Sequence, residues 1–478
     1  MRKVDFSNGR ITQDIIMTSL PMLVAQVLSL LYSIVDRIYI GRIPGTGTAA
    51  LGAVGLCFPI IMIVAAFTNM YGMGGAPLFA MELGRGEKKT AGQIMNTAFR
   101  LLVMTSVVIT AAGLLFSVPL LRLFGATDQV LPASLSYLRI YILGTFPLMI
   151  STGMNTYINA QGYATTGMLT VAIGAVANML LDPLFIFVLK LGVPGAAIAT
   201  VLSQTLSLLF VLRFLFSDKN EHPVSFPARQ LLIPEKSFAD GIPSGANSVS
   251  AGQRRTRIRT FLPYAGDIIS LGTAPFIMQI TNSLVQISCN QVLMHTGGAL
   301  YVSVMTIISS IRSILDVPAL AVTEGASPVI SFNYGAGKRA HVFKAIRVMM
   351  TICFPYTLIV WLLILIRPQI FFGIFSSDSA LMVPTVRAMR LYFSAFIFQS
   401  FQYCGQTVFK ALGKKKQAIF FSLLRKAVLV IPLTYLLPYA FGFGTDGVFL
   451  AEPVSNVIGG LACFTTMVMT MKRDPFGR

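Results

Sequence analysis

Asp36 is the side chain in this sequence best placed to handle a small cation. Gln26, Ser29, Ser33 and Asp36 recur at helical spacing, which puts one polar stripe on an otherwise apolar cylinder. A charge at membrane depth costs roughly 2.5–3.5 kcal/mol, so such a carboxylate must face a protein interior or a wet cavity. There it suits the uptake and release of a proton or the holding of Na⁺. An ion pair with Arg37 or another arginine is the competing role. Asn178 and Asp182 lie four apart, hence on one helix face. An amide beside an acid can hydrogen-bond its neutral form or offer oxygen ligands to Na⁺, although Asp182-Pro183 also reads as a helix kink. Asp36, Asn178 and Asp182 therefore form the candidate H⁺ or Na⁺ coupling set.

The second half of the chain carries a different stripe, Gln279, Asn282, Gln286 and Asn290. These amides do not titrate and suit either substrate contact or helix packing. With Gln26, Ser33 and Asn155, the first three of these amides give six candidate cavity residues: Gln26, Ser33, Asn155, Gln279, Asn282 and Gln286. Asp316 follows Arg312 by four and reads as a local salt bridge before a coupling group. Glu324 and Glu452 fall near helix ends and read as interfacial or structural. Cys57, Cys289, Cys353, Cys404 and Cys463 are scattered through apolar runs, and His222, His295 and His341 stand apart. No metal site beyond Na⁺, no disulfide framework and no cofactor is expected.

These groups must be positioned by helices that cross a membrane. Hydrophobic residues make up 55% of the chain and charged ones 12%, with a mean hydropathy of +0.73, against about 25% charged in soluble domains. Apolar runs long enough to span, roughly 20 residues each, lie at 15–40, 50–80, 93–117, 133–160, 166–190, 192–217, 267–295, 299–332, 342–366, 382–411, 417–441 and 445–471. The expected fold is all-α, with twelve spans in two sets of six.

The sets are copies. Gly74, Pro77, Gly84 and Gly86 in GGAPLFAMELGRGEK recur as Gly325, Pro328, Gly335 and Gly337, each 251 positions on. Thr156, Ala160 and Gly162 recur as Thr407, Ala411 and Gly413 at the same interval. Gly192, Gly195, Ala199 and Ser203 pair with Gly444, Gly447, Ala451 and Ser455 at 252. Duplication in so apolar a chain is how secondary transporters are built, with the ligand between two bundles. The expected division is an N-terminal lobe of 1–217, a linker of 218–263 and a C-terminal lobe of 264–478, related by a pseudo-two-fold axis.

The net charge of +19 does not signal nucleic acid, because of where it sits. Alternate loops hold Arg2, Lys3, Arg10, Arg85, Lys88, Lys89, Lys219 through Arg259, Lys338, Arg339, Lys344, Arg347, Lys410, Lys414–Lys416, Lys472, Arg473 and Arg478. The intervening loops offer Arg42, Arg122, Lys190 and Arg367. This asymmetry expects both termini in the cytoplasm of a multi-pass plasma-membrane protein, a bacterial inner membrane protein by preference. RRTRIR in the linker reads as a headgroup anchor. LGRGEKK lacks the GK[ST] ending of a nucleotide loop. The basic N-terminus leads into a helix with no cleavage site, so the first span is expected to stay.

IVDRIYIGRIPGTGTAALGAVGL, NMLLDPLFIFVLKLGVPGAAIAT and GTAPFIMQITNSLVQISCNQVL followed by EGASPVISFNYGAGKR closely resemble the multidrug and toxic compound extrusion (MATE) family, in its MepA-like branch. The resemblance implies two six-helix lobes around a V-shaped cavity and antiport of drugs, lipophilic cations or metabolites against H⁺ or Na⁺, with no enzymatic step. It matches Asp36 to the family's first-helix acid and Asn178 with Asp182 to its fifth-helix pair. Where some members carry acids on the seventh and tenth helices, this sequence has Gln279, Asn282 and Gln286, then Gln399 and Gln402. The family's usual eighth-helix glutamine is Glu324 here. A lipid-linked precursor flippase of the same superfamily is the alternative within transport, and an integral-membrane enzyme the alternative outside it. The expected partners are small organic molecules and the bilayer, with the monomer as the working unit. Fusions of a phosphatase active only outside the cytoplasm should be active after Arg42 or Lys190 and inactive after Lys89 or Lys338; the reverse pattern would invert the topology.

Overall fold

The computed structural model describes residues 3–44, 47–216, 263–375 and 379–473. The linker 218–263, with its RRTRIR run, lies outside the described residues apart from Pro263. What is described folds as helices: α1 (Ile11–Gly41), α2 (Gly47–Gly84), α3 (Lys88–Leu115), α4 (Ser117–Leu123), α5 (Leu131–Leu143), α6 (Thr145–Ala160), α7 (Ala164–Pro183) and α8 (Val193–Leu215) in the first half. The second half has α9 (Ala265–Gly335), α10 (Arg339–Ile366), α11 (Pro368–Phe375), α12 (Ser379–Tyr392), α13 (Ile397–Ala411), α14 (Lys415–Leu423), α15 (Ile431–Tyr439) and α16 (Gly444–Arg473). Wider i→i+5 turns at Leu184–Val188 and Leu424–Val430 extend α7 and join α14 to α15.

Among the described residues nine helices are long and apolar enough to span, and two bent pairs, α5 with α6 (50°) and α12 with α13 (51°), each make one more. The 71-residue α9 is two spans, since a straight helix of that length would run roughly 100 Å against a bilayer core of about 30 Å. It breaks at Gly298, whose φ of 71° with ψ of −169° is open to glycine alone. Ser309 Oγ donates to Gln286 Oε1 across this break at 3.3 Å, so the two arms lie side by side and antiparallel. Twelve spans result, six per repeat. Leu115, Leu123 and Val383 are 74%, 77% and 75% exposed, which for side chains of this type means a face turned to lipid.

The two repeats meet through glycines, and the meetings come in symmetric pairs. A Cβ on Gly84 would strike the carbonyl of Phe332, and one on Gly335 would strike that of Met81; Met81 and Phe332 are themselves 251 apart. Likewise Gly74 lies against Ile268 and Gly272 of the seventh span, and Gly325 against Ser19 of the first. Thr18 Oγ1 donates to Gly325 O at 2.8 Å, and Lys338 Nζ to Ser7 O at 3.0 Å. Backbones approach this closely only where no side chain intervenes. These contacts gather at the face that carries the chain termini, so the repeats close there and diverge toward the other face, giving the V. Within the repeats the same pairing holds: Gly195 lies against Phe185 O and Gly447 against Leu437 and Pro438.

Valine at Gly84 or Gly335 should therefore force this seam apart, an overpacking cost of about 1–3 kcal/mol. Cysteines at Phe6 and Phe332, whose rings lie 5.8 Å apart, should cross-link readily through a short bifunctional reagent in the parent and several-fold less in either valine variant. Gly52→Val, where a Cβ meets nothing within 4 Å, should leave the yield unchanged.

Candidate functional site

Two polar sites in the interior are joined by α1, which contributes side chains to both. The first is built from α1, α7 and α8. Asp36 and Asp182 bring their carboxyl groups within hydrogen-bonding reach of each other. Asn178 Nδ2 donates to Asp182 Oδ1 at 3.3 Å and to Thr200 Oγ1 at 3.4 Å. Asp182 and Asn178 are buried. Asp36 Oδ1, Asp182 Oδ2 and Asn178 Oδ1 are buried oxygens with no hydrogen-bond partner. Two acids in contact, shielded from water, repel if both are ionised, so a shared proton or a cation among these oxygens is what the arrangement accommodates. Asp36 forms no ion pair among the described residues, and its neighbour Arg37 is exposed. The Asp182 carboxyl engages the side chain of Asn178, while the wide turn after Pro183 closes through Leu189 N to Leu184 O at 2.9 Å.

Sequence reasoning missed two members of this site. Tyr32, one turn before Asp36, lies within electrostatic reach of both acids, and Thr200 holds the Asn178 amide. Tyr32 follows the polar stripe at i−4 from Asp36 and was open to notice. Thr200 shares α8 with Ser203, Gln204 and Ser207 at helical spacing, a polar face that sequence alone does not aim at Asn178.

The second site is a cavity of ≈ 280 Å³ at the floor of the V. Its wall includes Met22, Gln26 and Ser29 of α1, Asn69 and Met73 of α2, Asn155 and Asn159 of α6, Glu324 and Ser327 of α9, and Thr407 and Lys410 of α13. Five pairs of these linings are repeat-related: Met73 with Glu324, Ala76 with Ser327, Pro77 with Pro328, Thr156 with Thr407, and Asn159 with Lys410. The cavity thus sits on the pseudo-two-fold axis. Gln26 Nε2 donates to Glu324 Oε2 at 2.8 Å across the repeats. Of the six residues expected at a cavity, Gln26 and Asn155 line this one. Ser33 Oγ donates to Ser29 O within its own helix at 2.9 Å. Gln279 Nε2 reaches the Met62 sulfur at 3.1 Å, Gln286 pairs with Asn290 and Ser309 at 3.2 and 3.3 Å, and Asn282 is exposed.

Two expectations are corrected, for Glu324 and Lys410, and of the interfacial and structural roles open to Glu452 it takes the structural one. Glu324 is not interfacial, since the close packing of Gly325 on Ser19 carries it into the cavity wall. Lys410, read as a loop cation, lines the same cavity because α13 continues past it to Ala411. Glu452 is the centre of a buried ion cluster: its Oε1 lies 2.6 Å from Arg312 Nη1, 2.9 Å from Lys426 Nζ and 3.4 Å from Arg425 Nη1. Arg425 also donates to Asn456 Oδ1 at 2.6 Å, and Asp316 accepts from Arg312 Nε at 3.4 Å and Gln399 Nε2 at 2.9 Å. Arg425 and Lys426 fell inside an apolar run and drew no notice in sequence.

Twelve spans in two related sets, a cavity on their axis and an acid pair beside it define a two-lobe secondary transporter. The family profile MatE matches residues 21–184 and 275–436, once in each repeat, and the chain belongs to the MatE family. It is 26% identical over 345 residues to a probable multidrug resistance protein, YpnP, of Bacillus subtilis, covering 72% of this chain and 69% of that one. It is 22% identical to the multidrug export protein MepA of Staphylococcus haemolyticus, covering 91% and 89%. An outward-facing MATE transporter of the MOP superfamily superposes with a TM-score of 0.84 at 23% identity over 99% of this chain and 98% of the other. The protein is accordingly a multi-pass membrane transporter for small molecules.

The ion cluster makes a stability prediction. Glu452→Gln leaves three buried cations short of their counter-charge, a loss of roughly 3–5 kcal/mol, and should lower the thermal unfolding midpoint in detergent sharply. Arg85→Ala, which removes an exposed Arg85–Glu82 pair, is worth under about 1 kcal/mol and should shift it little.

Proposed function

We propose that this protein is an antiporter that exports organic compounds, lipophilic cations and drugs among them, from the cytoplasm in exchange for H⁺ or Na⁺. The coupling ion binds among Asp36, Asn178 and Asp182, with Tyr32 and Thr200 in support. The observation that carries the reading is the acid pair with its amide: three buried oxygens without donors, one each from Asp36, Asp182 and Asn178, in a family whose relatives are named for multidrug resistance and export. The face bearing the termini is cytoplasmic, on the charge asymmetry of the loops, so the V opens outward. The protein acts as a monomer in the plasma membrane, that of a bacterial cell by preference, and the lobes 1–217 and 264–478 tilt about the glycine seam, tethered by 218–263. One glutamate and one lysine in the cavity, and twelve spans, favour this over an arginine-lined flippase.

The ion site and the cavity do not share residues. Ser29 and Asp36 are seven residues apart on α1, about 10 Å at the helical rise. Exchange therefore works through α1: occupancy of the acid pair ties the outer half of α1 to α7, while Gln26 on its inner half holds Glu324. An ion that prefers one position of α1 and a substrate that prefers the other drive each other across by differential affinity. One charge crossing 100 mV supplies about 2.3 kcal/mol, enough for a gradient of somewhat under a hundredfold of a neutral compound.

Ethidium efflux from energised vesicles tests this with pH and Na⁺ gradients imposed separately. Asp36→Asn and Asp182→Asn should each cut efflux at least tenfold under whichever gradient drives the parent. Parent-like efflux in both variants under both gradients removes the acid pair from coupling.

A further inference from the structure

The cavity carries two opposite charges, and neither is used by the coupling site. Glu324 and Lys410 both line it, and both are half-buried. Lys410 Nζ makes no ion pair or hydrogen bond among the described residues, though it lies within electrostatic reach of Glu324. Glu324 takes one hydrogen bond, from Gln26 to Oε2. Had the two charges served only to neutralise each other, direct contact would be the favoured geometry in so apolar a setting. No ion pair joins them among the described residues, and both line the cavity.

Their placement is one-sided. The repeat-related positions are Met73 and Asn159, which also line the cavity and are neutral. The C-terminal wall thus offers a carboxylate and an ammonium, and the facing wall offers Met22, Met73, Ala76 and Val171 with a few amides. A ligand that fills this space without leaving a buried charge uncompensated presents an amine or other cation to Glu324, an acidic group to Lys410, and an apolar body to the opposite wall. We infer that the cavity selects amphoteric organic molecules, zwitterions with a lipophilic skeleton, over simple cations of the same skeleton. This rests on the export reading above and narrows its substrate class.

The test uses two xanthene dyes that differ in one group: the free-carboxylate zwitterion and its methyl ester, a plain cation. Equilibrium binding to the purified full chain in detergent is read by fluorescence polarisation, without any gradient. The parent should bind the zwitterion about tenfold more tightly than the ester. Lys410→Met should collapse that ratio to near one, and Lys410→Arg, which keeps the charge, should retain most of it. Glu324→Gln should weaken the zwitterion severalfold. Equal affinities in the parent, a ratio that survives Lys410→Met, or no saturable binding of either dye would each overturn the inference. Because binding is read apart from transport, a preserved ratio with no ion-driven efflux would count against the export reading alone.

Discussion

A charge placed in lipid must find a counter-charge, a ligand or a proton, and the three solutions divide this protein into its working parts. In the C-terminal repeat the protein supplies the answer itself: Glu452 collects Arg312, Arg425 and Lys426, and the cluster ties the eighth, eleventh and twelfth spans together. In the N-terminal repeat the acids Asp36 and Asp182 face one another with no ion-pair partner among the described residues, the opening that the proposed coupling ion fills. In the central cavity Glu324 and Lys410 are left for a larger guest. How completely each buried charge is answered within the chain sets these three regions apart.

The duplication supplies the frame, and its departures supply the chemistry. Gly84 and Gly335 still make reciprocal backbone contacts across the seam, because any side chain there would break both at once. The bends of 50° and 51° in the fourth and tenth spans have likewise stayed alike. Side chains on this frame have diverged where they face the interior, as Met73 against Glu324 and Asn159 against Lys410 illustrate. A backbone contact constrains both copies together, whereas a cavity-facing side chain constrains one.

Much of this was legible in the sequence. The spans showed as apolar runs, the repeat as glycines and prolines at a constant interval, and the acid set as polar residues at helical spacing, since helix periodicity alone decides which residues share a face. Contacts between distant segments were not legible. Nothing local to Glu324 says that Gly325 presses against Ser19 and turns its neighbour inward. Lys410 precedes the basic run Lys414–Lys416 and so looked like part of a loop, when it still lies in the last turn of α13, which ends at Ala411. Arg425 and Lys426 were hidden in an apolar run because their partner lies on another helix, 27 and 26 residues along the chain.

The cavity's one-sided polarity has a mechanical corollary. Its ionic handles belong to the C-terminal half, while the other half contributes mainly grease and amides. If the halves rock, a bound guest travels as cargo of the half that grips it, and the opposite half behaves as a shutter sliding over it. Escape then depends on how far the shutter withdraws, so bulk on the Met73 side should tune the speed of unloading, and charge on the Lys410 side the choice of what is loaded.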